Sequence, residues 1–313
     1  MEKDSLRKGN SVKKMKNLSE NKAIAYVIAG TALIAIGPFF VEFSGLSAMG
    51  SSFYRMLIGG IAFFLIGMYQ KKPLPSIGLL WLYGTAAVTI TVDLLLCNQS
   101  ILYIGSGLAT VLSNLEVIFL LLIGVIAFKE KVDKTLPTTI LLISAGIYLL
   151  IKPYLHEMHS HLILGISYAL LASFVFSIYL LSLKSISKKS PETSTAVNLG
   201  IICILGTVIL GAVMYFLPGE SFALPASWSG KACVAIYSLM SQVCGWWLIS
   251  QGLSKLNLST SGVLFLMQPA LTYLGDCLFL GRNTGLFQIA GCAILLATIY
   301  KTVQEKEKRE ATA

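Results

Sequence analysis

GSGLATVLSNLEVIFLLLIGVIAFKEK, residues Gly105–Lys131, is an apolar run with Ser113, Asn114 and Glu116 inside it and an abrupt charged stop at Lys129, Glu130 and Lys131. About 20 mostly apolar residues suffice to cross a bilayer, and this run is long enough. A carboxylate at bilayer depth costs roughly 3 kcal/mol on insertion scales, so it is kept where it faces protein or water and serves a purpose. The stretch therefore predicts a membrane-spanning helix at which something hydrophilic binds or passes.

The rest of the chain has the same character. Of 313 residues, 55% are hydrophobic and 12% are charged, and the mean hydropathy is +0.76; a soluble domain carries about 25% charged residues. This is the composition of a polytopic membrane protein. Apolar runs occupy approximately 23–42, 51–69, 78–98, 105–128, 134–151, 162–183, 195–217, 230–251, 259–280 and 284–302. The expected fold is all-α and integral to the membrane, with ten transmembrane helices and no room for a separate soluble domain. The basic start MEKDSLRKGNSVKKMK is not followed by a short apolar core with a small-residue cleavage site, so a removable signal peptide is not expected.

Ten spans place both termini on one side, and the basic residues choose the side. With the termini inside, the inner segments hold 20 Lys and Arg and the outer side keeps only Arg55, Lys152, Lys231 and Arg282. Such a bias is a positive-inside signal that puts both termini in the cytoplasm. The net charge of +9 thus reads as topology, and the scatter of basic residues over tails and loops argues against a nucleic-acid partner. Six cysteines, Cys97, Cys203, Cys233, Cys244, Cys277 and Cys292, all fall in apolar runs and read as small fillers.

Shifting the chain on itself by 152 residues aligns 98–151 with 250–303 without a gap: Gln99 meets Gln251, Val111 and Leu112 meet Val263 and Leu264, and Tyr148 meets Tyr300. Glu116 falls on Gln268. Five spans per half is an odd number, so the halves insert with opposite orientation, a plan that recurs in secondary transporters with a site near the midplane. The expected organisation is a basic cytoplasmic tail at 1–22, a first five-helix repeat at 23–152, a second at 162–303 and a charged tail at 304–313.

Particular motifs carry a family resemblance. IGPFFVEF in span one, Tyr54-Arg55 opening span two, SNLEVIF in span four and the closing FKEK, repeated as FVFSIYLL in span six and FLMQPAL in span nine, resemble the EamA family of the drug/metabolite transporter superfamily. The resemblance covers about residues 23–302. It implies a ten-helix, inverted-repeat carrier of small organic metabolites. Two positions depart from the pattern: Val117 stands where a proline usually follows the span-four Glu, and Gly281-Arg282 replaces the acidic end of span nine.

Several polar residues lie where apolar ones are expected. Glu116 and Gln268 are the first candidates for the solute pathway, beside the helix breakers Pro38 and Pro269, which free backbone carbonyls that can line a cavity; a packing kink and a plain interhelical hydrogen bond are the alternatives. Asp93, Glu42 and Asp276 are further embedded acids, whereas Arg55 is the only embedded base. Such an acidic excess favours a cationic or zwitterionic solute. Pairing of Arg55 with Glu42 across the short outer loop is the competing assignment, and a carboxylate there also has the chemistry to couple protons. Trp246, Trp247, Tyr237, Gln242 and Phe265 offer stacking and hydrogen-bonding surfaces; adjacent helix positions point about 100° apart, so at most one of the two tryptophans faces a pore. The other role for these aromatics is the interfacial belt. Ser113 and Asn114 are secondary candidates. His156, His159 and His161 form HEMHSH in an outer loop, a spacing that follows no established metal site, and a solvated loop is expected.

No phosphate-binding loop, zinc-protease helix or nucleophile with a nearby base is present, so neither an enzyme nor a cofactor is expected, and a gradient or exchange would drive transport. The leading expectation is a secondary carrier in a bacterial inner membrane, with a small-molecule metabolite and membrane lipid as its partners. S-adenosylmethionine, whose sulfonium suits the acids and whose adenine suits the aromatics, is the sharper form of the solute, with exchange for S-adenosylhomocysteine as a further expectation; export of aromatic or other amino acids or of drug-like metabolites is the alternative. A non-transporting scaffold or sensor is the rival of another class. The sequence leaves oligomeric state open.

Overall fold

The computed structural model describes residues 21–113, 115–129, 136–152, 160–272 and 285–312, and every regular element among them is a helix. Span one comes in two pieces, α1 (Asn21–Ala35) and α2 (Gly37–Ser44), because Pro38 lacks an N–H and sits in the first turn of α2, where no helical donor is needed. Gly45, with φ 72°, ends α2 in the left-handed conformation that glycine adopts without penalty. Ser47 then caps α3 (Ala48–Gln70), its Oγ accepting from the Gly50 N–H at 2.9 Å.

A turn of 3-10 helix leads into α4 (Leu80–Ser113). This helix covers both the expected span three and the start of span four, yet it is not straight. Cys97 Sγ and Ser113 Oγ lie 3.3 Å apart, whereas sixteen residues of straight helix would separate them by about 24 Å. The chain therefore doubles back between them, where the sequence placed a loop. A turn at Leu115 separates α4 from α5 (Glu116–Phe128), so the apolar run of the opening stretch is broken immediately before its carboxylate.

α6 (Leu136–Ile151), α7 (Ser160–Lys189) and α8 (Thr195–Phe216) follow, the last capped by Ser194. Span eight is α9 (Trp228–Tyr237), a π-helical segment (Ser238–Gly245) and α10 (Trp246–Leu253) in direct succession. Span nine begins as α11 (Leu258–Phe265), turns at Leu266 and resumes over 267–272; α12 (Leu286–Thr312) closes the chain. Five stretches, Met49–Gln70, Ile77–Cys97, Leu162–Lys189, Thr195–Phe216 and Trp228–Leu253, are long and apolar enough to cross a membrane, and Asn21–Ala35, Pro137–Leu149 and Ile289–Thr298 are shorter apolar helices. Among the described residues, spans one and four are each interrupted, at Ile36 and at Leu115, and span nine turns at Leu266.

The main helix pairs are α3 with α8, α4 with α7, α6 with α12, α5 with α11 and α2 with α9. Each joins an element from before residue 152 to one from after residue 160, so the two parts of the chain share one core. Span one lies close against span eight. Ala23, Gly30 and Gly37, seven residues apart, meet Gly252, Gly245 and Tyr237 in turn, and a Cβ on Gly30 would sit 2.6 Å from the Gly245 carbonyl. Where lipid surrounds the helices, packing of small residues holds them together. The outward faces carry Phe64, Leu65, Leu141, Ile163 and Val208, an apolar exterior that lipid covers. Trp81 and Trp228 are exposed, with Lys189 and Lys231 over their rings at 5.5 and 4.6 Å, an arrangement that suits the membrane–water boundary.

Candidate functional site

All the interruptions converge. A cavity of about 160 Å³ is lined by Ile34, Arg55, Ile90, Asp93, Leu94, Glu116, Phe176, Trp246, Ile249, Phe265 and Gln268. Ile34 precedes the break in span one, Glu116 follows that in span four, Phe265 and Gln268 flank that in span nine, and Trp246 follows the π segment. Irregular backbone at membrane depth is tolerated where it lines a cavity or where neighbours satisfy the freed groups. Both conditions hold here: these residues line the cavity, and Thr272 Oγ1 donates to the carbonyl of Ala35, the last residue of α1, at 3.0 Å.

Six residues singled out in the sequence share this cavity: Glu116, Gln268, Asp93, Trp246, Phe265 and Arg55. Asp93, Glu116 and Arg55 are all buried. Among the described residues the Glu116 carboxylate receives no hydrogen bond, while Asp93 Oδ1 accepts from Cys97 Sγ at 3.6 Å. Cys97, read as a filler, instead links Asp93 to Ser113. Two carboxyl groups and one guanidinium thus line the same space.

Gln242 and Tyr237 do not line the cavity. Arg55 Nε donates to Gln242 Oε1 at 2.7 Å and Arg55 NH1 donates to Tyr237 OH at 2.9 Å, so these two hold Arg55 from behind. The direct partners of Arg55 among the described residues are therefore neutral, and the side chain of Glu42 lies outside them, as do the Pro38 side chain and all of Asn114 and Asp276. His156 and His159 and the His161 side chain also lie outside the described residues. Pro269 is buried in the helical turn after Leu266. Of the two tryptophans, Trp246 is 3% exposed and lines the cavity, whereas Trp247 is 37% exposed.

Trp246 is fixed by edge-to-face contacts, with Tyr179 at 5.1 Å and Phe176 at 5.9 Å between ring centroids. Such pairs contribute about 0.5–1.5 kcal/mol beyond area burial. Phe176 was not among the candidates, although it stands in the FVFSIYLL motif that repeats the polar and aromatic pattern of the first half. Nothing in the sequence marked Ile34, Ile90, Leu94 or Ile249, which are apolar residues in apolar spans.

Charged and aromatic groups thus surround an internal cavity in an all-helical, apolar chain, and comparisons with known proteins point to a transporter. The EamA-like transporter family matches twice, over residues 21–152 and 163–303. A protein of Archaeoglobus fulgidus described as an uncharacterized transporter is 25% identical over 294 residues, covering 91% of this chain and 98% of its own. Another of Haemophilus influenzae, described in the same words, is 23% identical over 242 residues, 74% of each chain. A crystal structure that is 13% identical superposes with a TM-score of 0.75 over 88% of this chain and 96% of its own, which bears on the fold alone. Two matches that together span most of the sequence, on an all-helical, membrane-suited chain with charged groups around an internal cavity, establish that this protein belongs to the EamA-like transporter family.

Proposed function

We propose that the protein is a secondary transporter of a small zwitterionic or cationic amino-acid-type metabolite, working by alternating access in a bacterial inner membrane with both termini cytoplasmic. The observation that carries the reading is the cavity wall itself, which Arg55 shares with Asp93, Glu116 and Trp246. Arg55 spends two of its five N–H donors on Gln242 and Tyr237, and the others are available to a solute carboxylate. An ammonium group would meet Asp93 or Glu116, and a cation over the Trp246 face would gain about 0.5–2 kcal/mol.

Size argues for a small solute. A cavity of about 160 Å³ compares with the roughly 150 Å³ that admits benzene, and pockets for drug-sized ligands hold about 300–1,000 Å³. S-adenosylmethionine, taken up in exchange for S-adenosylhomocysteine, is the sharper form of the proposal and requires the cavity to widen. A ten-helix arrangement of two inverted five-helix repeats, 23–152 and 162–303, would supply the motion. It is supported by the double family match and by the breaks before Glu116 and before Gln268, positions related by the 152-residue shift.

The test is uptake and efflux of a labelled panel of amino acids, S-adenosylmethionine and nucleosides in reconstituted vesicles, with and without internal countersolute. Glu116→Gln is expected to reach the membrane at wild-type level and to lose at least about tenfold in flux. Wild-type flux in that variant would count against the central-site assignment, and no movement of any panel member would overturn the solute class.

A further inference from the structure

The Arg55 guanidinium is held by an apparatus on three helices, none of whose members needs to touch a solute. Gln242 projects from the π segment of span eight, and its Oε1 accepts from Arg55 Nε at 2.7 Å. A guanidinium only donates, so the amide must present its oxygen to Arg55 and its NH₂ elsewhere. That NH₂ donates to Cys203 Sγ of α8 at 3.2 Å. Cys203 is 1% and Gln242 2% exposed, so no water competes for either group.

Room for the amide comes from α3. Gly59 lies one turn after Arg55, and a Cβ there would sit 2.5 Å from Gln242 Cγ and 3.3 Å from Gln242 Cβ. The absent side chain is a notch in which the glutamine lies flat against the helix that carries the arginine. π-Helical turns recur at functional sites, and this one sets Gln242 toward Arg55 while delivering Trp246 to the cavity four residues on. Tyr237 completes the hold, with its OH on Arg55 NH1 and its ring 5.4 Å from the guanidinium carbon.

We infer that Gly59, Cys203 and Gln242 form a positioning unit that keeps Arg55 aimed into the cavity through neutral contacts, and so sets the preference for solutes bearing a free carboxylate. The inference rests on the zwitterion reading above. An acidic partner would hold Arg55 as firmly but would neutralise it. A neutral amide holds it and leaves its charge for the solute.

Two measurements separate this inference from that reading. The first needs no solute: side-chain Nε–H exchange in protein labelled with ¹⁵N-arginine, in which Arg55 is one of four arginines. The Arg55 Nε–H should exchange at least about tenfold more slowly than that of free arginine, as a buried bond to a charged donor predicts, and Gln242→Leu or Gly59→Ala should remove that protection. Cys203→Ala should weaken it roughly threefold and Cys203→Ser restore it, since a hydroxyl also accepts from the amide. Wild-type protection in both Gln242→Leu and Gly59→Ala would overturn the positioning unit. The second measurement is the uptake ratio of the fastest-moving panel amino acid to its carboxamide. Gln242→Glu, which would pair with and neutralise Arg55, should lower that ratio at least about tenfold, whereas a purely structural defect would slow both compounds alike. An unchanged ratio in Gln242→Glu alongside a collapsed ratio in Arg55→Gln would also overturn the positioning unit. An unchanged ratio in Arg55→Gln would instead refute the carboxylate role of Arg55 and with it the zwitterion reading.

Discussion

Replacing Gly30 and Gly84 by alanine, the same chemical change in two helices, should have unequal effects on stability. At Gly30 the new Cβ would lie 2.6 Å from the Gly245 carbonyl oxygen, 2.8 Å from Ile249 Cγ1 and 3.0 Å from Ile249 N. Ordinary contact begins near 3.4 Å, so α1 must withdraw from span eight by about 0.8 Å, and two of the three obstacles are backbone that no rotamer change can move. Overpacking of this kind costs roughly 1–3 kcal/mol. At Gly84 nothing lies within 4 Å of the new Cβ, and only the helix-propensity gain of about 1 kcal/mol remains. That gain applies at both sites and cancels in the comparison, leaving a gap of roughly 1–3 kcal/mol between the variants. Thermal unfolding in detergent is the assay, with about 2–4 °C expected per kcal/mol at ~150–250 residues and somewhat less for a longer chain. Gly84→Ala should melt at or above wild type and Gly30→Ala below Gly84→Ala by several degrees. Coincident melting curves for the two variants would refute the claim that span one and span eight are in backbone contact.

Other outcomes follow from single contacts. Trp246→Leu should weaken solute affinity by about 0.5–2 kcal/mol while Trp247→Leu stays within roughly 0.5 kcal/mol, both read from the concentration dependence of uptake; equal effects would remove Trp246 from the cavity wall. Lys184 is buried and its Nζ donates to the Leu256 carbonyl, so Lys184→Ala should destabilise by about 1–3 kcal/mol by stranding that acceptor, checked by the same unfolding assay. The charge bias predicts cytoplasmic reporters fused after residue 189 or 313 to be active and those fused near residue 220 to be silent; the reverse pattern would invert the proposed topology.

The site residues that were legible in the sequence share one property. Glu116, Asp93, Arg55 and Gln268 are polar groups in apolar spans, and the cost of placing them in hydrocarbon does not depend on which helix lies opposite. Each of these four lines the cavity. The 152-residue shift added that Glu116 and Gln268 correspond, and the chain breaks before both. By contrast, Gln242 and Tyr237 were read as solute contacts and turned out to grip Arg55 across 187 and 182 residues of sequence. Their polarity was visible, but their direction was not.

By itself, then, the amino-acid order determined that this chain lives in lipid, that it is helical, and which groups are too expensive to be lipid-facing, because transfer from water to hydrocarbon is a property of each side chain and its immediate run. Only the tertiary structure decided that α4 doubles back to bring Cys97 to Ser113, that Trp246 and not Trp247 faces inward, and that Cys203 is a hydrogen-bonding partner of Gln242 and no mere filler. Those outcomes depend on the rotation of each helix about its own axis and on which neighbour approaches within 3–4 Å, and helix packing, not local sequence, sets both.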